Sequence, residues 1–178
     1  YLVEQWSKNY QSKDSKRKGF VASINLFRGS NDIPQEAADQ INQVANAFDG
    51  DGGFNKDQIA EILSAIGVIE SKYETKVQRE DGPARSYWQV EPKTAADMLK
   101  ENLNAMKTGR SQLMGQNFEN LFKSKYSDVI GDKTALEYFA SLNEDQLQKL
   151  LLEDGLFAAA MAAHKVVSTF DPYGSKEA

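Results

Sequence analysis

Apolar residues recur at three- and four-residue spacing along most of the chain, and the runs are bounded by capping and turn residues. The clearest run opens at Asn55, where Gln58 three positions later completes a capping box. Ile59, Ile62, Leu63, Ile66, Ile69 and Tyr73 then make one apolar stripe of an amphipathic helix. Upstream, Asp32 to Phe48 reads as a helix with Asp32 as its cap, Pro34 in its first turn, and Ile41, Val44, Ala45 and Phe48 facing inward. Downstream the pattern predicts helices over Thr94–Met106 (Ala95, Met98, Leu99 and Leu103 inward, Gly109 just beyond) and over Ser111–Tyr126 (Leu113, Phe118, Leu121 and Phe122 inward). Two more are expected at Lys133–Leu142 and from Asn143 through Leu152, the second closed by Gly155. The last, Leu156–Val167, is the most apolar, and its alanines permit close helix–helix approach, so it belongs at the centre of the fold. The class is mainly α.

Two regions escape this periodicity. Between Tyr73 and Trp88 polar and turn residues dominate, with Glu80-Asp81-Gly82-Pro83 as a turn, so a loop is expected. Residues 1–33 combine the polar, basic run Ser12–Gly19 with loose alternation at Val21, Ile24 and Leu26, as an extended arm or short strand would. A solvated linker is the plain reading of the basic run, while the aromatics beside it suit packing on a partner chain. Asp171-Pro172-Tyr173-Gly174 reads as a closing turn, followed by a polar tail at 175–178.

Composition narrows the classes. The chain has 178 residues, of which 40% are hydrophobic and 26% charged, as in an ordinary globular domain or a domain plus an arm. No apolar run has the length of a membrane span. The chain opens at Tyr1, as a fragment or processed form would, so the lack of a visible signal peptide decides little. With no cysteine and one histidine, a transition-metal site is not expected. A net charge of −5 argues against nucleic acid as a partner. Asp49 and Asp51 occupy the first and third positions of a calcium-loop pattern, but Gly53, Phe54 and Ala60 stand at the fifth, sixth and twelfth, so a glycine-rich connection is the better reading.

Candidate chemistry centres on Glu70. At about 100° per residue it falls inside the stripe near Leu63 and Ile66, whereas Glu61 points away and Glu74 lies on the flank. Burial raises a carboxyl pKa, the condition for a general acid near neutrality. An edge-of-stripe residue, or a partner of Arg79 or Arg85, is the alternative. After Glu70-Ser71 come Gly82-Pro83-Ala84-Arg85-Ser86-Tyr87-Trp88-Gln89 and then Pro92-Lys93-Thr94-Ala95. This series, over about a quarter of the chain, resembles the soluble, goose-lysozyme-like lytic transglycosylases, in the version carried by bacteriophage virion proteins.

The resemblance implies a lysozyme-like helical domain over 34–174, with the 73–88 segment as a small loop or hairpin wall of a cleft. It implies Glu70 as the catalytic acid and then base, Ser71, Ser86, Tyr87, Trp88 and Gln89 as substrate-binding residues, and no cofactor. The expected partners are peptidoglycan glycan strands and other virion proteins. The expected location is a virion core or tail acting at the bacterial cell wall during genome entry. Two departures stand out. Ser86 occupies a position that is usually glycine, where a left-handed backbone angle would be strained. The family's Ala-Tyr-Asn-x-Gly motif is replaced by Ala159-Ala160-Met161-Ala162-Ala163-His164. Tyr126 or His164 would have to substitute for the missing tyrosine, with Glu91 as a further auxiliary candidate. Without such a substitute, the fold would serve as a weakly active or inactive structural protein of the particle. His164, read from its helix alone, is a face residue near the negative end of the dipole. A hydrolase would need a second carboxylate, for which Glu80, Asp81 and Glu91 are the candidates.

Overall fold

The computed structural model describes residues 33–109 and 113–170. Among the described residues there are eight α-helices: α1 (Gln35–Ala47), α2 (Lys56–Ser71), α3 (Pro92–Lys107), α4 (Leu113–Phe122), α5 (Ser127–Ile130), α6 (Ala135–Ala140), α7 (Glu144–Glu153) and α8 (Gly155–Phe170). The protein is mainly helical, with no strand among the described residues. Helix starts follow local chemistry. Asn55 accepts from the Gln58 N–H at 2.9 Å while Gln58 Oε1 accepts from the Asn55 N–H at 3.0 Å. The same reciprocal box opens α6 at Thr134–Glu137 and α7 at Asn143–Gln146. Asp49 and Asp51 also serve local structure: their carboxylates accept from the Lys56 N–H and the Asn117 amide, each at 2.7 Å.

α8 lies at the centre, as its alanines predict: twelve of its sixteen residues are buried. It packs on α1, α2, α7 and the short 3-10 turn Asp51–Gly53. Gly52 is required there, because its φ is +63° and a Cβ would sit 3.1 Å from Val167. One end of the core is an aromatic cluster, with the rings of Phe118, Phe122, Phe139 and Phe157 at 4.8–6.1 Å centroid separations. Mutually edge-on or tilted rings at such distances add about 0.5–1.5 kcal/mol per pair beyond burial.

Several expectations need correction. Gly155 does not close α7 but is the first residue of α8; Asp154 ends the one helix and caps the other, accepting the Phe157 N–H at 3.1 Å. Pro34 is the N-cap of α1 instead of a first-turn residue. α6 is shorter than predicted, because Ser141 already closes it. α2 is no simple amphipathic helix. Ser64, Ala65, Gly67 and Val68 are buried along with its stripe, while Ile69 is 37% exposed. The middle of α2 is enclosed, while Lys56 and Asp57 in its first turn and Ile69 and Glu70 in its last are exposed. His164 is interior, 2% exposed, not a residue of an open helix face. The arm over 1–32 with its basic run, the Asp32 cap, the predicted start at Ser111, the turn at Asp171–Gly174 and the tail lie outside the described residues, as does the side chain of Leu113.

Candidate functional site

The last turn of α2 is where the candidate acid sits. Lys72 leaves the helix in the left-handed conformation and Tyr73 follows it at φ +56°, so the chain reverses onto the helix it has just left. Ser71 holds this reversal: its hydroxyl donates to Gly67 O at 3.1 Å and accepts the Tyr73 N–H at 3.1 Å. The Tyr73 ring then lies directly over Gly67, and its hydroxyl donates to Ser64 O at 2.9 Å and Leu63 O at 3.3 Å. Trp88 packs edge-on to Tyr73, and its indole N–H also reaches Leu63 O, at 2.9 Å. Two aromatic side chains thus pin residues 72–90 to the flank of α2.

Within this segment Val77 bridges Arg85, and Arg85 bridges Val90, closing a tight turn through Ser86–Gln89. Gln148 of α7 tethers its outer edge by donating to Pro83 O at 3.2 Å. Residues 72–90 are thus a segment of isolated bridges and turns, with no strand among the described residues, and form one wall of a groove. Six non-glycine residues among those described have left-handed φ, namely Lys72, Tyr73, Glu80, Asp81, Ser86 and Gln89, and all belong to this wall. Ser86 is held at φ +74°, an angle that glycine would adopt without strain. Backbone strain is concentrated where a binding surface would need a defined shape.

Between this wall, α2, the start of α3 and one face of α8 lies a groove of about 880 Å³. Glu70 and Ser71 line it from α2, Trp88, Gln89 and Glu91 from the wall and its exit, and Lys165 from α8. Glu70 is exposed, like Ile69 beside it, instead of lying within the buried stripe as expected; partial desolvation still pushes its carboxyl pKa upward, and the Lys165 ammonium pulls the other way. No arginine clamps it among the described residues, since Arg85 donates to the carbonyls of Gly82 and Ala84. The carboxyl is therefore open to a ligand, with its pKa above the ordinary glutamate value.

The other predicted residues divide. Gln89 lines the groove and is oriented by its amide donating to Ser86 O at 2.7 Å. Trp88 contributes an edge only, being 3% exposed and committed to the core. Ser86 and Tyr87 do not line the groove. Ser86 is buried, its Oγ accepting the Trp88 N–H at 3.1 Å, and Tyr87 packs on Tyr73 with Lys76 over its ring. Of the second-carboxylate candidates only Glu91 reaches the groove, together with Glu74, while Glu80 and Asp81 stay outside it.

Neither auxiliary residue replaces the missing tyrosine. The Tyr126 hydroxyl donates to the buried Asp154 carboxylate, which also pairs with Lys125 at 2.9 Å; burial and that carboxylate push the phenol pKa up. His164 is packed between α8 and α3, where the Asn102 amide donates to its Nε2 at 2.9 Å. Its proton therefore sits on Nδ1, which is buried without a partner, and burial pushes the ring down to about 4. The ring is neutral and interior.

Sequence reasoning missed Lys165, the facing cation. Its signal was available: it is the one permanently charged residue of the largely apolar α8. Met98, Thr94 and Arg79, also on the groove, carried no such signal. Among the described residues no group of three or more histidine, aspartate or glutamate side chains is placed to hold a metal ion, and no helix is long and apolar enough to cross a membrane. No family model, no curated protein and no solved structure matches the chain.

Proposed function

We propose that this chain is a peptidoglycan-cleaving lytic transglycosylase of the kind carried in bacteriophage particles, with a lysozyme-like helical domain that opens the cell wall for genome entry. The observation that carries the reading is the site of Glu70: an exposed carboxyl in the last turn of a helix whose middle is buried, its pKa raised by partial desolvation, opening onto a groove that Gln89 and the edge of Trp88 also line. These residues come from the same sequence series that resembles the family.

In this mechanism protonated Glu70 donates its proton to the glycosidic oxygen between N-acetylmuramic acid and N-acetylglucosamine as that bond breaks. The resulting carboxylate removes the proton from the muramyl 6-hydroxyl, whose oxygen closes on the anomeric carbon. The product is a 1,6-anhydro end, and Glu70 recovers its proton. No water is activated, so one carboxylate suffices. A hydrolase of this design would need a second carboxylate at a set separation.

One observation favours a second reading, a structural virion protein with little or no turnover: no tyrosine is among the residues lining the groove. Purified peptidoglycan treated with the chain and with Glu70→Gln separates the two. Anhydro-ended muropeptides released by the first and not the second support the enzyme. No release by the folded parent chain supports the structural role. Reducing-end products, lost in the variant, would keep Glu70 and make the reaction a hydrolysis.

A further inference from the structure

The face of α8 that meets the groove is Met161, Ala162, Lys165 and Val166, the i, i+1, i+4, i+5 pattern of one helix side. Three of these are apolar. Lys165 is the only charged residue of the helix, and its side chain is half-buried. Lysine can lay its aliphatic stem along an apolar wall while the ammonium reaches the wet end, and here that end is the groove. Five other charged residues face the same space: Glu70 from α2, Lys72, Glu74 and Arg79 from the wall, and Glu91 at the entry to α3. Three carboxylates and three cations leave the groove near neutrality, so its field as a whole does not select a ligand by charge. Selection by charge must then be local. Lys165 supplies the only cation on the α8 side, and it lies close enough to Glu70 for its charge to act on that carboxyl.

Resting on the glycan-cleaving reading, we propose that Lys165 is a specificity-determining residue that pairs with a carboxylate carried on the bound glycan. A ligand seated with its glycosidic oxygen at Glu70 brings its side groups toward the α8 wall. Neutral sugar strands offer nothing to an ammonium there. Strands whose sugars bear peptide side groups offer carboxylates, and a charge-assisted hydrogen bond in a partly desolvated groove is stronger than its neutral counterpart. The apolar face around Lys165 limits water at that contact, so the preference is for strands that carry a carboxylate there over neutral ones.

The test uses the full chain carrying Glu70→Gln, so that ligand is not consumed, with calorimetric titration of two probes: chitohexaose, which is neutral, and glycan fragments bearing peptide stems. Lys165→Met should weaken binding of the stem-bearing fragments about tenfold, less so at high salt, and leave chitohexaose unchanged. Lys165→Arg, which keeps the charge, should retain most of the preference. Methionine suits an apolar helix face, and thermal unfolding of each variant checks that the fold is kept. Equal loss for both probes, or no loss for either, overturns the assignment of Lys165 while leaving the glycan groove standing. If neither probe binds before Lys165 is changed, the glycan reading itself fails and takes this inference with it.

Discussion

Gly67→Ala is the sharpest probe of how the groove wall is held. In an ordinary helix interior this change stabilises by about 1 kcal/mol, because alanine loses less backbone entropy on folding. Here a Cβ on residue 67 would lie 2.1 Å from Tyr73 Cζ, 2.3 Å from its hydroxyl oxygen and 2.6 Å from Cε1. The ring must lift off α2. Its single O–H proton, shared between the two carbonyls, then loses its acceptors at a cost of about 1 kcal/mol, and forced repacking of a buried aromatic costs about 2 kcal/mol more. Set against the propensity gain, the net is a loss of about 2 kcal/mol, or roughly 4–8 °C in Tm for a chain of this size. The diagnostic is a sign change. In a Tyr73→Ala background the obstacle is gone, and Gly67→Ala should stabilise by about 1 kcal/mol. Urea unfolding of the four chains of this cycle measures both numbers. Stabilisation by Gly67→Ala in the parent chain, or additivity of the two substitutions, would refute the idea that Tyr73 clamps the wall through Gly67.

Three further outcomes follow from the same structure. Ser86→Ala keeps the left-handed angle but removes the acceptor of the Trp88 N–H, whereas Ser86→Gly removes that acceptor and relieves the angle; in chemical denaturation the glycine variant should be the more stable of the two by about 1 kcal/mol, and alanine at least equal to glycine would disprove strain at Ser86. His164 is held down to about 4 from an ordinary 6.5, so the unfolded chain takes up its proton first. Stability is therefore lost as pH falls through that window, by about 3 kcal/mol in total. His164→Gln should flatten that part of the stability–pH curve, and an unchanged acid limb would contradict the buried neutral ring. Glu70 has its pKa raised above its ordinary 4.5. Its contribution to stability is thus present below that value and lost as pH rises through the raised one, so a Tm gap in favour of Glu70→Gln should open between pH 4 and pH 7. A gap independent of pH would show that the carboxyl is not desolvated in the fold.

Helix chemistry was largely legible in the sequence, because it is local. The boxes at Asn55–Gln58 and Asn143–Gln146 are written in residues three apart, and the alanines of Leu156–Val167 marked the helix that takes the centre. Periodicity names a face without naming what covers it, and that is where reading stopped. Gly67 carried no local signal, since the ring that needs its missing Cβ approaches only after the chain reverses at Lys72 and Tyr73. Gly155 resembled a helix stop because the glycine preference after a helix C-terminus is strong, and the Asp154 side chain that turns it into a start acts through a cap bond. Asn102 and His164 are 62 positions apart, so their buried pairing had no local trace. The strain at Ser86 was expected only through the resemblance, which implies glycine at that position, and the observed φ of +74° is one that glycine favours. Of the candidate site, Glu70 and Gln89 share the groove, whereas Tyr87 turned to the Tyr73 packing and Trp88 gave most of its surface to the core. Aromatic residues next to a predicted cleft serve either purpose equally well until their neighbours are known.

The most direct test of the central claim is digestion of peptidoglycan by the full chain in water enriched in oxygen-18, with mass spectrometry of the released fragments. If Glu70 acts as acid and then base on the sugar's own hydroxyl, the new ends are anhydro sugars without the label, and Glu70→Gln abolishes their release. New ends that carry one heavy oxygen would mean that water attacks the anomeric carbon, which contradicts the single-carboxylate mechanism. Release that persists in Glu70→Gln would contradict the assignment of the acid.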